Sequence, residues 1–410
     1  KAELINWCKA NKKADGSPYN LYTDGLKIYT TIDSKLQAYA EKALVQQMTE
    51  VQKQFFDHWG KELPWQDKEY VLQEAIVRSP RYQRLKQQGL SESEIMEVMQ
   101  KRIPMQMFSW EGEKEVKASP IDSIKHHLQY LNAGFLAMKP ATGEVKAWVG
   151  GIEHDFYQYD HVKTTTKRQV GSIFKPIVYA MAIEEGILPC ELYSAEQETY
   201  IDKEGVKWTP RNMQNDYHVQ YSMRGALAYS VNTVAVKLIQ EAGVMNTMGL
   251  ARKMGINSEL PDVPSIALGS SSISLMEMTT AYACLANEGV TNLPYYINSI
   301  TDLSGKVYDN FKPKGSGQRR SFQACRSAIW PSVSSPARNV RPPSESGGGR
   351  GKNGVLHPGP KAGRQRRVAL NGKPLEVQRE HQGQHVSDNK DGKREGEHGE
   401  CHDGAVDPAS

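Results

Sequence analysis

Apolar and polar positions alternate with a period of two through Leu26, Ile28, Thr30 and Ile32, which predicts a strand. The period changes at Asp33. From there Leu36, Ala40, Leu44, Met48, Val51 and Phe55 recur at helical spacing. One face of a helix is therefore apolar, and Asp33 stands where it can cap the helix start. Residues 57–117 are charged, aromatic and rich in methionine, with breaks at Pro64, Pro80 and Pro104. Helical spacing between the prolines predicts a helical insertion. Residues 133–151 hold two apolar runs around Pro140-Ala-Thr-Gly143. That composition makes a tight turn and predicts a β-hairpin.

Between residues 170 and 289 the pattern is helical. Stretches opening at Phe174, Met223 and Leu275 set small and apolar residues at helical spacing, and each ends on a glycine suited to a C-cap: Gly186, Gly243 and Gly289. Residues 295–311 read as a second hairpin turning at Ser304-Gly305. Periodicity stops after about residue 314. The aromatic side chains of residues 315–410 are Phe322 and Trp330, in a run dominated by Gly, Pro, Arg, Ser, Gln, Glu and His. Such a segment cannot bury enough apolar surface to offset an ordering entropy of roughly 1–2 kcal/mol per residue, so disorder is expected there. Hairpins mixed with helices predict an α/β fold of the α+β kind.

Composition narrows the function classes. The chain has 410 residues, 39% hydrophobic and 24% charged, enough for one large domain or two to three smaller ones. A net charge of +4 is too mild to point to nucleic acid. No apolar run is long enough to span a bilayer, and no leader-like segment opens the chain. The chain starts at Lys1 with no initiator methionine, as a piece of a longer protein would. Cys8, Cys190, Cys284, Cys325 and Cys401 are too widely spaced for a zinc ribbon or a redox pair. Cys190 and Cys284 lie among apolar residues and are expected in the core.

The candidate chemistry starts at Ser172 and Lys175. In a helix beginning near Gly171 they lie on one face, one turn apart. A neutral lysine there can take the serine proton, and the helix N-terminus favours the alkoxide over the ammonium. Pro176 is tolerated because first-turn N–H groups have no intrahelical partner. By itself the spacing is weak, since Ser-x-x-Lys arises by chance about once or twice in a chain this long. The bland reading is an ordinary helix start. Ser230 and Asn232 form a second element, a hydroxyl and an amide two residues apart that can face one cleft. Their bland reading is a cap and a turn.

The order of pieces is more specific than either motif. The stretches "GLKIYTTIDSKLQ", "AGFLAMKPATGEVKAWVGG", "RQVGSIFKP", "TPRNMQNDYHVQYSMRGALAYSVNTVAVKL" and "PSIALGSSSISLMEMTTAYACLANEGV" resemble the transpeptidase domain of class A penicillin-binding proteins, of the 1A type. The resemblance implies a serine β-lactamase/D,D-peptidase-like fold, with an antiparallel sheet sandwiched between helical regions. It implies a D,D-transpeptidase that cross-links peptidoglycan stem peptides ending in D-Ala-D-Ala and is acylated by β-lactams, without cofactor or metal. Ser172 would be the nucleophile and Lys175 its base. Ser230 would relay the proton, and Asn232 would orient Lys175 and bind the substrate amide. The implied location is the cell envelope, at the outer face of the inner membrane. Membrane contact would come only through an N-terminal part absent from this chain, and no nucleic-acid partner is expected.

The implied organisation is a connector over 1–24, following an absent glycosyltransferase domain. A linker strand and helix with the helical insertion cover 25–132, an incomplete transpeptidase domain covers 133–312, and a disordered or out-of-frame tail covers 313–410. No Lys-Thr-Gly or Lys-Ser-Gly triplet occurs in the chain. The family's third motif and the late strands around it are thus expected to be missing, leaving the 133–151 hairpin with an unpaired edge. Three features of the tail mimic sites: Lys352 in "GRGKNG", Ser387-Asp388-Asn389 before Lys390, and His398, Cys401, His402 and Asp403. None has apolar periodicity to hold it, and the same applies to the basic run "KAGRQRR". The missing triplet keeps a non-catalytic wall-binding or partner-binding domain open as an alternative, and a penicillin sensor or β-lactamase on the same fold is a third.

Overall fold

The computed structural model describes residues 2–60, 62–201, 205, 207–311 and the backbone of 319–320. Helix α1 (Ala2–Ala10) precedes strand β1 (Lys27–Thr30). Helix α2 (Ser34–Trp59) follows, with the Asp33 carboxylate accepting from Lys35 N–H at 3.0 Å and Leu36 N–H at 3.1 Å. The predicted stripe buries Ala40 and Leu44, while Leu36 at its first turn is exposed.

The 57–117 segment is helical only in part. Helices α3 (Glu69–Arg78), α4 (Pro80–Gln87) and α5 (Glu92–Gln100) bury Ile76, Tyr82, Ile95 and Met99 against one another. Strands β2 (Ile103–Met107) and β3 (Lys114–Ala118) then form an antiparallel hairpin where helix was expected. The reason is visible afterwards. Ile103, Met105 and Met107 alternate half-buried with exposed neighbours, and Pro104 suits a strand edge that lacks a donor. Helix α6 (Pro120–Leu128) closes the segment.

The 133–151 hairpin forms as predicted, from β4 (Phe135–Met138) and β5 (Val145–Val149). Its edge along β5 is not bare. Val145 N–H donates to Tyr295 O, Val145 O accepts from the Thr31 hydroxyl, and Lys146 O accepts from Asp33 N–H. The Gln37 amide grips both backbone polar groups of Trp148, donating to its carbonyl at 2.9 Å and accepting from its backbone N–H at 2.8 Å. Backbone and side-chain groups of the adjoining loops and of α2 thus satisfy backbone groups that a neighbouring strand would otherwise pair.

Next come β6 (Lys167–Gln169), α7 (Lys175–Glu184), β7 (Leu192–Ser194), β8 (Tyr200–Ile201), β9 (Lys207–Trp208) and β10 (Gln220–Ser222). Helices α8 (Met223–Ala228), α9 (Asn232–Ala242) and α10 (Val244–Lys253) lead to β11 (Ser272–Ser274) and α11 (Leu275–Ala286). The stretch that reads as one helical pattern from Met223 is therefore two helices, broken at Tyr229–Val231. Strands β12 (Val290–Thr291), β13 (Ile297–Thr301) and β14 (Val307–Asn310) follow, and β12 pairs with β15 (Arg319–Arg320) inside the region expected to be disordered. The remaining tail residues, including Cys325, Lys352, Ser387, Asp388, Asn389 and Cys401, lie outside the described residues.

The predicted second hairpin is β13–β14, and β1 joins it to give the antiparallel order β1-β13-β14. The largest core lies elsewhere, among α7, α8, α9, α10 and α11. Phe174, Ile177, Val178, Val234, Val236, Leu238 and Ile239 are fully buried in it. Each such aliphatic or aromatic side chain contributes about 1.5–3 kcal/mol of burial free energy. Cys284 belongs to this core as expected, but Cys190 is exposed in the turn after α7, and neither is in a disulfide. No helix among the described residues is long and apolar enough to cross a membrane.

Candidate active site

Two short strands aim Ser172. β6 pairs with β11, and the ladder continues through Val170 N–H to Ser271 O at 3.2 Å and Gly171 N–H to Gly269 O at 2.9 Å. Gly269 has φ 73°, and a Cβ there would collide with the Gly171 carbonyl oxygen. Only glycine allows this approach. The chain then turns at Gly171 into a 3₁₀ turn, Gly171–Phe174, which runs directly into α7. Phe174 anchors the turn in the core, and the Tyr282 hydroxyl holds Ile173 O at 2.9 Å. Ser172 is left exposed at the mouth, its N–H one of the first-turn donors with no partner inside the helix.

Lys175 opens α7 and is only 1% exposed, unusual for a lysine. Its amine donates to Ser230 O at 2.6 Å, Asn232 Oδ1 at 2.6 Å and Ser230 Oγ at 3.0 Å. All three partners are neutral. Burial pulls its pKa down to about 8. The cause is desolvation of the ammonium.

Ser230 reaches Lys175 through a strained turn. Helix α8 ends in a Schellman arrangement: Val231 N–H donates to Ala226 O at 2.9 Å and Ser230 N–H to Leu227 O at 3.0 Å. The residue at the left-handed position of this motif is normally glycine. Here it is Ser230, with φ 55°. The turn brings both its carbonyl and its hydroxyl to the lysine, and α9 begins two residues later at Asn232. Asn232 Nδ2 donates to Arg211 O at 2.7 Å, which leaves Oδ1 for Lys175.

A cleft of about 120 Å³ opens in front of these groups. Ser172, Ser230 and Asn232 line it, together with Asn212, Met213 and Tyr229. The structure thus brings Ser172, Lys175, Ser230 and Asn232 into one place. Sequence reasoning missed Asn212, which lies in a quoted stretch but shows no local signal of its own. Among the described residues no cluster of His, Cys, Asp and Glu could hold a metal ion. The tail cluster His398, Cys401, His402 and Asp403 lies outside the described residues.

A family model for the penicillin-binding protein middle domain matches residues 57–131, and one for the penicillin binding protein transpeptidase domain matches residues 133–324. Penicillin-binding protein 1A of Aquifex aeolicus is 28% identical over 307 residues, which is 72% of this chain and 41% of the relative. Penicillin-binding protein 2D of Bacillus subtilis is 37% identical over 183 residues, 44% of this chain and 26% of the relative. The chain spans about two fifths of the length of the curated relatives that it matches over most of its own length. Among solved structures, penicillin-binding protein 1A from Haemophilus influenzae aligns at a TM-score of 0.51 and 20% identity, over 75% of this chain and 49% of that one. This likeness establishes the fold that the sequence resemblance implies.

Proposed function

Because this chain belongs to the penicillin-binding proteins through its transpeptidase domain, we propose that it is a serine D,D-transpeptidase acylated at Ser172. Its donors are peptidoglycan stem peptides ending in D-Ala-D-Ala, and β-lactams acylate the same serine. The observation that carries this reading is the buried Lys175 amine, one turn from Ser172 and held between the Ser230 carbonyl and Asn232 Oδ1. Neither oxygen can donate, so in the neutral amine two hydrogens go to them. The lone pair is left for a hydroxyl.

Ser172 Oγ attacks the carbonyl carbon of the penultimate D-Ala, and its proton passes to Lys175 Nζ. The free N–H of Ser172 is available to the oxyanion, a contribution of about 10²–10³-fold for one such donor. Collapse breaks the C–N bond. The proton returns from Lys175 through Ser230 Oγ to the departing D-Ala amine, leaving an ester on Ser172. An acceptor amine attacks the ester and restores the serine hydroxyl. A β-lactam follows the first step, but its leaving nitrogen stays tethered. With no Lys-Thr/Ser-Gly triplet in the chain, the substrate carboxylate lacks that motif's partners, and acylation is impaired. The reaction belongs to the cell envelope, at the outer face of the inner membrane.

Labelling the full chain with a fluorescent penicillin tests this. Covalent label on Ser172, lost in Ser172→Ala, is the expected result. A chain that takes no label at saturating penicillin is not an acyl-enzyme former, and the non-catalytic binding reading replaces this one.

A further inference from the structure

Serine and asparagine at a helix start normally cap it, by accepting from the orphan N–H groups of the first turn. At α9 neither does. Ser230 Oγ and Asn232 Oδ1 both meet Lys175, and the N-cap residue, Val231, has no side-chain acceptor. The orphan donors go instead to a residue on a separate loop. Asn212 Oδ1 accepts from Asn232 N–H at 3.0 Å and from Thr233 N–H at 3.1 Å. Asn212 Nδ2 donates to Asp216 O at 3.1 Å and Thr233 Oγ1 at 3.2 Å, and Thr233 Oγ1 donates onward to Ala195 O at 3.0 Å. Both acceptor and both donor positions of the amide are filled. Asn212 is 9% exposed, so water does not readily substitute for it. The preceding carbonyl, Arg211 O, fixes which end of the Asn232 amide faces the lysine.

We propose that Asn212 is a positioning residue for the acyl-transfer reaction: it caps α9 from outside the helix and so releases Ser230 and Asn232 to hold the Lys175 amine. The inference rests on the reading of Lys175 as the base. Without the Asn212 oxygen, one half-buried and one buried N–H group, those of Asn232 and Thr233, open at the head of α9. The Ser230 and Asn232 side chains are acceptors at the same helix start, and each can turn to those groups only by leaving Lys175.

The test is the rate of penicillin acylation of the full chain as a function of pH, for wild type, Asn212→Ala and Asn212→Asp. Asn212→Ala is expected to acylate roughly tenfold more slowly, the effect of about 1.4 kcal/mol in the barrier. The limb on which its rate rises with pH should move to lower pH, because Lys175 loses an acceptor for its ammonium form. Asn212→Asp keeps an acceptor for both N–H groups but places a negative charge near Lys175, so its limb should move to higher pH. The downward shift in Asn212→Ala marks positioning of the base, since the shift in Asn212→Asp follows from its charge alone; a purely structural role would lower the thermal stability of Asn212→Ala and leave its limb in place. A folded Asn212→Ala with the wild-type rate and limb overturns the proposal. Where Asn212→Ala is insoluble, Asn212→Ser, whose shorter side chain withdraws the acceptor from both N–H groups, takes its place, and a wild-type rate and limb there overturn the proposal. A wild-type chain that takes no label at Ser172 removes the transpeptidase reading and this inference with it, whereas a labelled wild type with unchanged variants removes only this inference.

Discussion

Helices α5, α6 and α11 begin alike, and the α8–α9 junction does not. The first three open on Ser91, Ser119 and Ser274, whose hydroxyls accept from the N–H three residues on. The acid at that third position, Glu94, Asp122 or Glu277, accepts in return from the serine N–H. This is the capping box, and it satisfies two orphan donors at once. At α8–α9 a serine and an asparagine, also residues of the capping kind, turn their side-chain oxygens to a lysine. Ser230 holds a backbone conformation suited to glycine, Asn232 ignores its own helix, and both face Lys175. The boxed starts obey local rules because they only begin helices. The junction breaks them, and its strain and borrowed cap are the signature of a site.

The strongest test of that contrast removes the group the junction serves. Lys175→Met keeps the side chain's length and burial but has no lone pair for a proton. Acylation by penicillin should fall by about 10²–10⁴-fold, the usual size of general base catalysis. The wild-type rate should rise with pH through about 8, as the ammonium gives up its proton, and Lys175→Met should lose that limb. An unchanged rate and limb would make Lys175 a core residue and the junction a structural oddity. Stability carries an opposite mark of the same burial. The folded-state pKa lies below the ordinary value of 10.5, so between about 8 and 10.5 the unfolded chain binds the proton that the folded chain has released. Stability from this lysine is therefore lowest below about pH 8 and rises with pH across that window.

A gentler comparison separates the strain at Ser230 from its chemistry. Ser230→Ala and Ser230→Gly both remove the hydroxyl, and both should slow acylation to a similar extent. They should differ in stability. Glycine relieves the left-handed conformation and alanine keeps it, so Ser230→Gly should be the more stable by about 1–2 kcal/mol in denaturant unfolding. Equal stabilities would show that the turn stores no strain. An acylation rate at the wild-type level in both would remove Ser230 from the proton path.

Much of the scaffold was legible because its signals are local. The Asp33 cap, the α2 stripe and the 133–151 hairpin follow from period and turn chemistry within a few residues. The β2–β3 hairpin was hidden, since five-residue strands interrupted by Pro104 carry too few periods to compete with the helical text around them. The pairing of β1 with β13, which joins Lys27 to Thr301, has no sequence signal at all. The exposure of Cys190 reflects the turn that follows α7, which composition does not report. At the site, Ser172 with Lys175 and Ser230 with Asn232 could be paired, but taken alone each pair had a stronger bland reading, as a helix start or as a cap and a turn. Burial of the lysine and the conformation of Ser230 are what support the site reading, and both are properties of the packed chain. Asn212 was invisible because its role exists only once a loop has been brought against a helix it does not belong to.

The smallest expected effect lies at a boxed start, and it bounds the contrast from the other side. Ser119 is buried at the head of α6, accepting from Asp122 N–H at 3.1 Å while Asp122 Oδ2 accepts from Ser119 N–H at 3.1 Å. Ser119→Ala removes one half of the box and should cost about 1 kcal/mol in unfolding free energy. The rate and pH limb of penicillin acylation should not move. Hydrogen bonds from the Ser119 backbone and side chain hold the Asp122 carboxyl below its ordinary value of 3.8. The box's contribution is thus complete above that pH and fades as the solution is acidified through the lowered value, so the difference between wild type and Ser119→Ala should shrink in acid. A change in acylation on Ser119→Ala would mean that this cap also reaches Lys175, and the division between helix starts that only cap and the one that meets Lys175 would fail.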